Sequence, residues 1–148
     1  MNTAYTKIME YSKKYPGTIA WRKKAHSKVI EKHLNPGEEV LYAFCCQKGL
    51  SSLEIFNTYA VVLTNKRILI AQKRVLFGYL FLAITPDMFN DLTIKTGIIW
   101  GKVCLDTVKE VVVLSNISKE SVSEIETAIT EYMMREKKKY VKIAKESV

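Results

Sequence analysis

Thr58-Tyr-Ala-Val-Val-Leu-Thr-Asn-Lys-Arg-Ile-Leu-Ile70 is the stretch on which the fold class turns. β-Branched and apolar residues fill Thr58 to Leu63 and again Arg67 to Gln72, and Thr64-Asn65-Lys66 between them is a tight-turn sequence. Two such runs separated by polar turn residues read as a β-hairpin.

The same chemistry spreads outward from this hairpin. Glu39 to Gln47 is rich in Val, Leu, Tyr, Phe and Cys, and Leu80 to Thr85 ends at Pro86-Asp87. Asp91 to Ile99 alternates polar and apolar residues around Gly97, a candidate bulge. Lys102 to Thr107 and Glu110 to Leu114 complete a set of short strands at near-regular spacing, which signals a barrel or sandwich. On the N-terminal side the period changes. Ala4, Ile8, Tyr11 and Tyr15 recur at helical spacing until Pro16-Gly17. Thr18 is a candidate N-cap for a second helix running to Leu34, with Ile19, Ala25, Val29 and Ile30 on one face and Trp21 at its boundary. Asn35-Pro36-Gly37 stops it. At the other end Ser118 is a candidate cap for a final helix. Val122, Ile125, Ile129, Tyr132 and Met133 form its apolar stripe, which resumes at Tyr140 and Ile143. A helix of that length, roughly 40 Å at 1.5 Å per residue, is longer than a small barrel is wide, so its end beyond Arg135 should overhang.

This order resembles the bacterial pleckstrin-homology-like (PH-like) domain family, in particular its YokE-like subset, over residues 34 to 134. The resemblance rests on Leu34-Asn-Pro-Gly-Glu-Glu-Val40, on Val62-Leu-Thr-Asn-Lys-Arg-Ile-Leu-Ile70, on Ile84-Thr-Pro-Asp87, and on the closing amphipathic helix. It implies an α+β fold: a strongly bent seven-stranded antiparallel sheet or barrel, capped by the C-terminal helix and without enzymatic activity. Residues 1–33 then form an N-terminal helical extension, and residues 34–148 the PH-like domain with its long helix. Lipid-binding PH domains of eukaryotes gather Lys and Arg around the first β-hairpin. The corresponding loop here, Gln47 to Asn57, holds one Lys and one Glu, so inositol-lipid binding is not carried over.

Composition narrows the classes further. With 48% hydrophobic and 26% charged residues the chain is ordinary globular protein, and no apolar run reaches the roughly 18 to 20 residues needed to span a bilayer. No secretory signal is visible at the N-terminus. Cys45 and Cys46 are adjacent and Cys104 stands apart, a set suited neither to a disulfide framework nor to a zinc site. Reduced thiols and a cytoplasmic location follow as expectations. His26 and His33 lie two helical turns apart, too far to share a metal, and read as packing residues; Asp87 and Asp91 read as turn or cap residues. No Gly-rich phosphate loop or Gly-x-Ser-x-Gly elbow is present, so no catalytic residue, cofactor, metal ligand or small-molecule substrate is assigned.

Two candidate surfaces remain. Val75 to Ile84 is apolar on both strand faces, with Phe77, Tyr79 and Phe81 on one side and Leu76, Leu80 and Leu82 on the other. Its outer face needs a cover: the N-terminal helices, a second subunit, or another partner such as a membrane. Leu76, Phe77, Tyr79, Phe81 and Leu82 are the candidate interaction surface for self-association or protein binding. The second candidate follows from charge. The net charge is +8, and residues 1–37 hold eight Lys and Arg against two Glu. Trp21, Lys23, Lys24, Lys28 and Lys32 are the candidate contacts to an anionic membrane surface. Lys dominates and Trp21 is the one aromatic among these cations, a pattern that does not favour nucleic acid.

Overall fold

The computed structural model describes residues 3–49 and 57–147, without the side chain of Tyr140. Two helices come first, α1 (Thr3–Lys14) and α2 (Lys23–His33). Seven strands follow: β1 (Val40–Lys48), β2 (Thr58–Thr64), β3 (Ile68–Lys73), β4 (Tyr79–Ile84), β5 (Phe89–Thr96), β6 (Trp100–Thr107) and β7 (Val111–Ser118). After a 3₁₀ turn at Lys119–Ser121, α3 (Val122–Glu146) closes the chain. No described helix is long and apolar enough to cross a membrane.

The strands form one antiparallel sheet in the order β4-β3-β2-β1-β7-β6-β5. β1 meets β7 only at Gln47↔Ser115 and Lys48↔Leu114, so the sheet turns a corner there and curls into a half-barrel. Phe44, Cys46, Val61, Leu63, Ile68 and Ile70 point into it and pack against Val122, Ile125, Ile129 and Met133 of α3. The α3 stripe read from the sequence is the plug of that core. Gly101 lies under Val122, where a β-carbon would collide with the Val122 Cγ2 methyl, so glycine sets how closely α3 approaches β6. Beyond the stripe, residues 141–147 are exposed, while the Lys137 ammonium still donates to the Phe89 carbonyl at 2.6 Å. The helix therefore leaves the sheet after Lys137.

Neighbours along β1 and β2 point to opposite faces, and here both faces are dry. Ala43, Cys45, Ala60, Val62, Leu69 and Ala71 form the outer face, where Ala4, Ile8, Val29 and Ile30 of α1 and α2 cover them. Small side chains let the helices lie close to the backbone of the sheet. Burial pushes the Cys45 thiol up to about 12 and the Cys46 thiol well above its ordinary value, so both pack as apolar groups. All three cysteines are free thiols.

Several local expectations need correction. α2 begins at Lys23, not at Thr18: residues 16–18 form a turn and bend, and residues 19–22 are irregular. The Thr18 hydroxyl accepts the Ser118 N–H at 2.8 Å, and Arg22, with φ 50, starts the helix. Trp21 therefore precedes α2 rather than lying on its boundary. Ser118 gives no side-chain cap to a backbone N–H; its hydroxyl donates to the Glu120 carboxylate at 2.8 Å. Gly97 sits in the β5–β6 turn, its N–H donating to the Trp100 carbonyl at 2.9 Å, and the β5 irregularity lies between Phe89 and Asp91. Residues 75–78 are a turn, so strand geometry starts at Tyr79.

Candidate interaction surface

The β3–β4 turn is built by Gly78. Its φ of +71° is a left-handed conformation open to glycine, and its carbonyl accepts the Arg74 N–H at 3.1 Å. The turn projects Val75, Leu76 and Phe77 outward, 80%, 83% and 84% exposed. An isolated exposed Leu is ordinary on a protein surface, but three large apolar side chains in succession at a hairpin tip are not.

Behind the tip β4 is covered on its outer face. Phe81 stacks on the His33 ring with centroids 4.0 Å apart, and the Tyr79 hydroxyl lies 3.2 Å from His33 Nε2. Leu82 faces the other way, against the half-barrel core. Of the five residues expected to form one interaction surface, Leu76 and Phe77 are bare, Tyr79 is partly exposed, and Phe81 and Leu82 are taken up by packing. The cover on the outer face is the protein's own α2. A Phe81→Glu substitution would break the α2–β4 seam.

Cations stand at the root of the tip and along the adjoining helix. Lys73 and Arg74 lead into it along the chain. The Arg22 guanidinium donates to the Lys73 carbonyl at 2.8 Å, and His26 Nδ1 accepts the Lys73 N–H at 2.9 Å, so the start of α2 is fastened to the root of the turn. That bond requires an unprotonated His26. Burial, helped by the charge of Arg22, lowers its pKa to about 4. Trp21, Arg22, Lys73, Arg74 and Val75 line one shallow depression. Arg22, Lys24, Lys28, Lys32, Lys73 and Tyr79 line a second. Among the described residues no acidic side chain lines either. Glu31 of α2 faces α1, where its carboxylate accepts the Ala4 N–H at 2.8 Å.

The two surfaces read separately from the sequence are thus neighbours. Trp21 lies beside Val75, and Lys24, Lys28 and Lys32 beside Tyr79, in two depressions that share Arg22 and Lys73, whereas Lys23 is half-buried and lines neither. Sequence reasoning missed Arg22, Lys73, Arg74 and Val75. The signal was present in Lys73-Arg-Val-Leu-Phe-Gly78, a glycine-ended turn between two strands with its apolar residues at the tip and its cations at the root. A second apolar tip, Ile98-Ile99 in the β5–β6 turn, is exposed as well. The loop expected to lack a phosphate cradle lies mostly outside the described residues, which omit 50–56.

Other polar clusters are structural. Glu38 is fully buried and holds Arg67 through two bonds of 2.9 and 3.1 Å while accepting the Thr64 hydroxyl at 2.8 Å. Burial opposes its ionisation, but Arg67, the Asn35 N–H and Thr64 outweigh that and hold the carboxyl below its usual range. Glu124 takes the Lys14 ammonium at 2.6 Å and the Tyr42 hydroxyl at 2.8 Å, tying α1 and β1 to α3. Asp87 accepts the Thr85 hydroxyl in the turn before β5, whereas Asp91, expected in a turn or cap, lies within β5 beside its irregularity and accepts the Leu92 N–H. Among the described residues no three His, Cys, Asp or Glu side chains converge on a site for a metal ion.

A seven-stranded antiparallel sheet curled on itself, plugged by one C-terminal helix, defines a PH-like domain. A family profile described as "Bacterial PH domain" matches residues 34–131, and the chain belongs to that family. Among solved structures it is similar to the pleckstrin homology domain from Shewanella amazonensis SB2B. The TM-score is 0.51 at 15% sequence identity, over 72% of this chain and 84% of that one, a likeness of fold. A search of curated proteins returns no match. α1 and α2 precede the matched span, so four of the six cations, Arg22, Lys24, Lys28 and Lys32, come from outside it.

Proposed function

We propose that this protein is a non-catalytic interaction module of the cytoplasm, in which the helical extension of residues 1–33 supplies part of the docking surface of a PH-like domain. PH-like domains commonly bind proteins or lipids. The docking surface is the β3–β4 tip with the adjoining face of α2, and its partner is acidic. The observation that carries this reading is a bare apolar tip, Val75-Leu76-Phe77, with Arg22, Lys73 and Arg74 at its root, Lys24, Lys28 and Lys32 running from there along α2, and, among the described residues, no carboxylate lining either depression. Desolvating the tip supplies attraction, and the cations select a partner of opposite sign.

Self-association is a second reading, favoured by one observation. β4 is the last strand of the sheet, and its outer edge carries no strand among the described residues. A second copy docking tip to tip is disfavoured, since a two-fold interface would press the two cationic surfaces together. A photo-crosslinking amino acid placed at Leu76, with another at the exposed Glu126 of α3 as control, tests the docking surface in growing cells. Adducts at position 76 and not at 126 are expected. Their absence at 76 would remove the proposed surface.

A further inference from the structure

Resting on that docking surface, we infer that its acidic partner is a lipid bilayer: Leu76 and Phe77 enter the headgroup region while the cations behind them sit over anionic headgroups. Three features select a bilayer over an acidic protein. The apolar element is a protrusion on a five-residue turn, and a fluid interface moulds around a protrusion where a protein would need a matching pocket. The charges are arranged as a stripe rather than a receptor. Lys24, Lys28 and Lys32 repeat every fourth residue along α2, a line about 12 Å long, and continue into Lys73 beside them. Lysine ammonium groups on flexible stems fit mobile headgroups without demanding fixed geometry. Trp21, 53% exposed, lines the same depression as Val75, Arg22, Lys73 and Arg74, so an amphipathic ring stands where apolar tip and cations meet.

The orientation is consistent with the rest of the molecule. Glu31, the carboxylate of α2, is turned away into α1, so the stripe presents one sign of charge. Arg22 and His26 bind the backbone of Lys73, which holds the helix and the tip in fixed relation.

Sedimentation of the full chain with vesicles tests this. Vesicles of about three parts phosphatidylglycerol to seven parts phosphatidylcholine should carry the protein down at low salt, and pure phosphatidylcholine should not. Raising the salt should release it. Leu76→Ser with Phe77→Ser should weaken binding about tenfold or more, at an unchanged urea midpoint. Phe77→Trp fluorescence should be quenched by lipids brominated on their acyl chains. Failure to sediment with the acidic vesicles at low salt, or binding indifferent to the serine pair, would overturn the inference. Polypeptide adducts at position 76 without vesicle binding would overturn the bilayer as partner and leave the docking surface standing for an acidic protein.

Discussion

β3 is bounded by two turns of similar composition and opposite fate. The β2–β3 turn carries Lys66 and Arg67, and the β3–β4 turn carries Lys73 and Arg74. In the first turn the polar groups are largely consumed internally. Arg67 is clamped on buried Glu38, Thr64 caps the turn, and Asn65 accepts the Glu39 N–H at 2.9 Å. The turn is thereby welded to the segment that leads from α2 into β1. In the second turn there is no carboxylate to meet among the described residues, the apolar residues face water, and glycine rather than a hydrogen-bonded side chain makes the bend. A cation clamped on a buried acid stabilises a fold; cations at the root of a bare apolar tip, with no acid beside them among the described residues, can meet a partner.

Substitutions at the two turns should separate these roles. The largest effect is expected at the first. Glu38→Gln leaves Arg67 half-buried without its partner and should cost about 3 kcal/mol, read as a fall in the urea midpoint. A loss under about 0.5 kcal/mol would mean that the clamp is not structural. The next effect depends on pH and tests whether the root of the second turn is held as firmly as the first. Folded His26 stays neutral down to about pH 4, whereas an unfolded His takes its proton near 6.5. The unfolded state therefore binds the extra proton between those values, and stability should fall as pH drops through that window and stay level above it. Urea midpoints measured from pH 7 to 4.5 should slope in the wild type and flatten in His26→Gln. Glu38, with its carboxyl held low, adds its own loss only below the ordinary carboxylate range.

Smaller effects are expected at the tip and stripe. Leu76→Ser with Phe77→Ser should shift stability by no more than about 0.5 kcal/mol in the same urea titration, since both side chains already face solvent. A larger loss would show that something covers them. Smallest of all, Lys28→Gln removes like-charge neighbours on both sides, Lys24 and Lys32, and should raise stability by a few tenths of a kcal/mol, roughly 0.2 to 0.5 per pair. Thermal melting at low and high salt checks it, because the gain should shrink as salt screens the lysines.

Much of the fold was legible because periodicity reports burial. The strand runs from Thr58 to Gln72, the α3 stripe ending at Met133, and the motif from Leu34 to Val40 all stand where alternation, helical spacing and turn residues put them. Legibility failed where tertiary contacts replace local rules. Thr18 looks like a helix cap, but its hydroxyl is claimed by the Ser118 N–H on β7, and the helix waits until Lys23. Val75 to Phe77 have strand chemistry, but Gly78 turns the chain and puts them at a tip. Phe81 looks like an interface residue because nothing in its own strand says that His33, far away in sequence, will stack on it.

From the residue pattern alone came the class of fold, the apolar character of Val75 to Ile84, and the excess of cations before Gly37. These are properties of a chain segment and its neighbours, which sequence spacing expresses directly. What lay beyond it was adjacency between segments far apart. The seating of α2 on β3, through His26 and Arg22 on Lys73, puts Trp21 beside the β3–β4 tip and Lys24, Lys28 and Lys32 beside Tyr79, and so joins two separate candidates into neighbouring surfaces. That seating depends on a small-residue face of the sheet built from β1, β2 and β3 together, and no single stretch of the chain contains it.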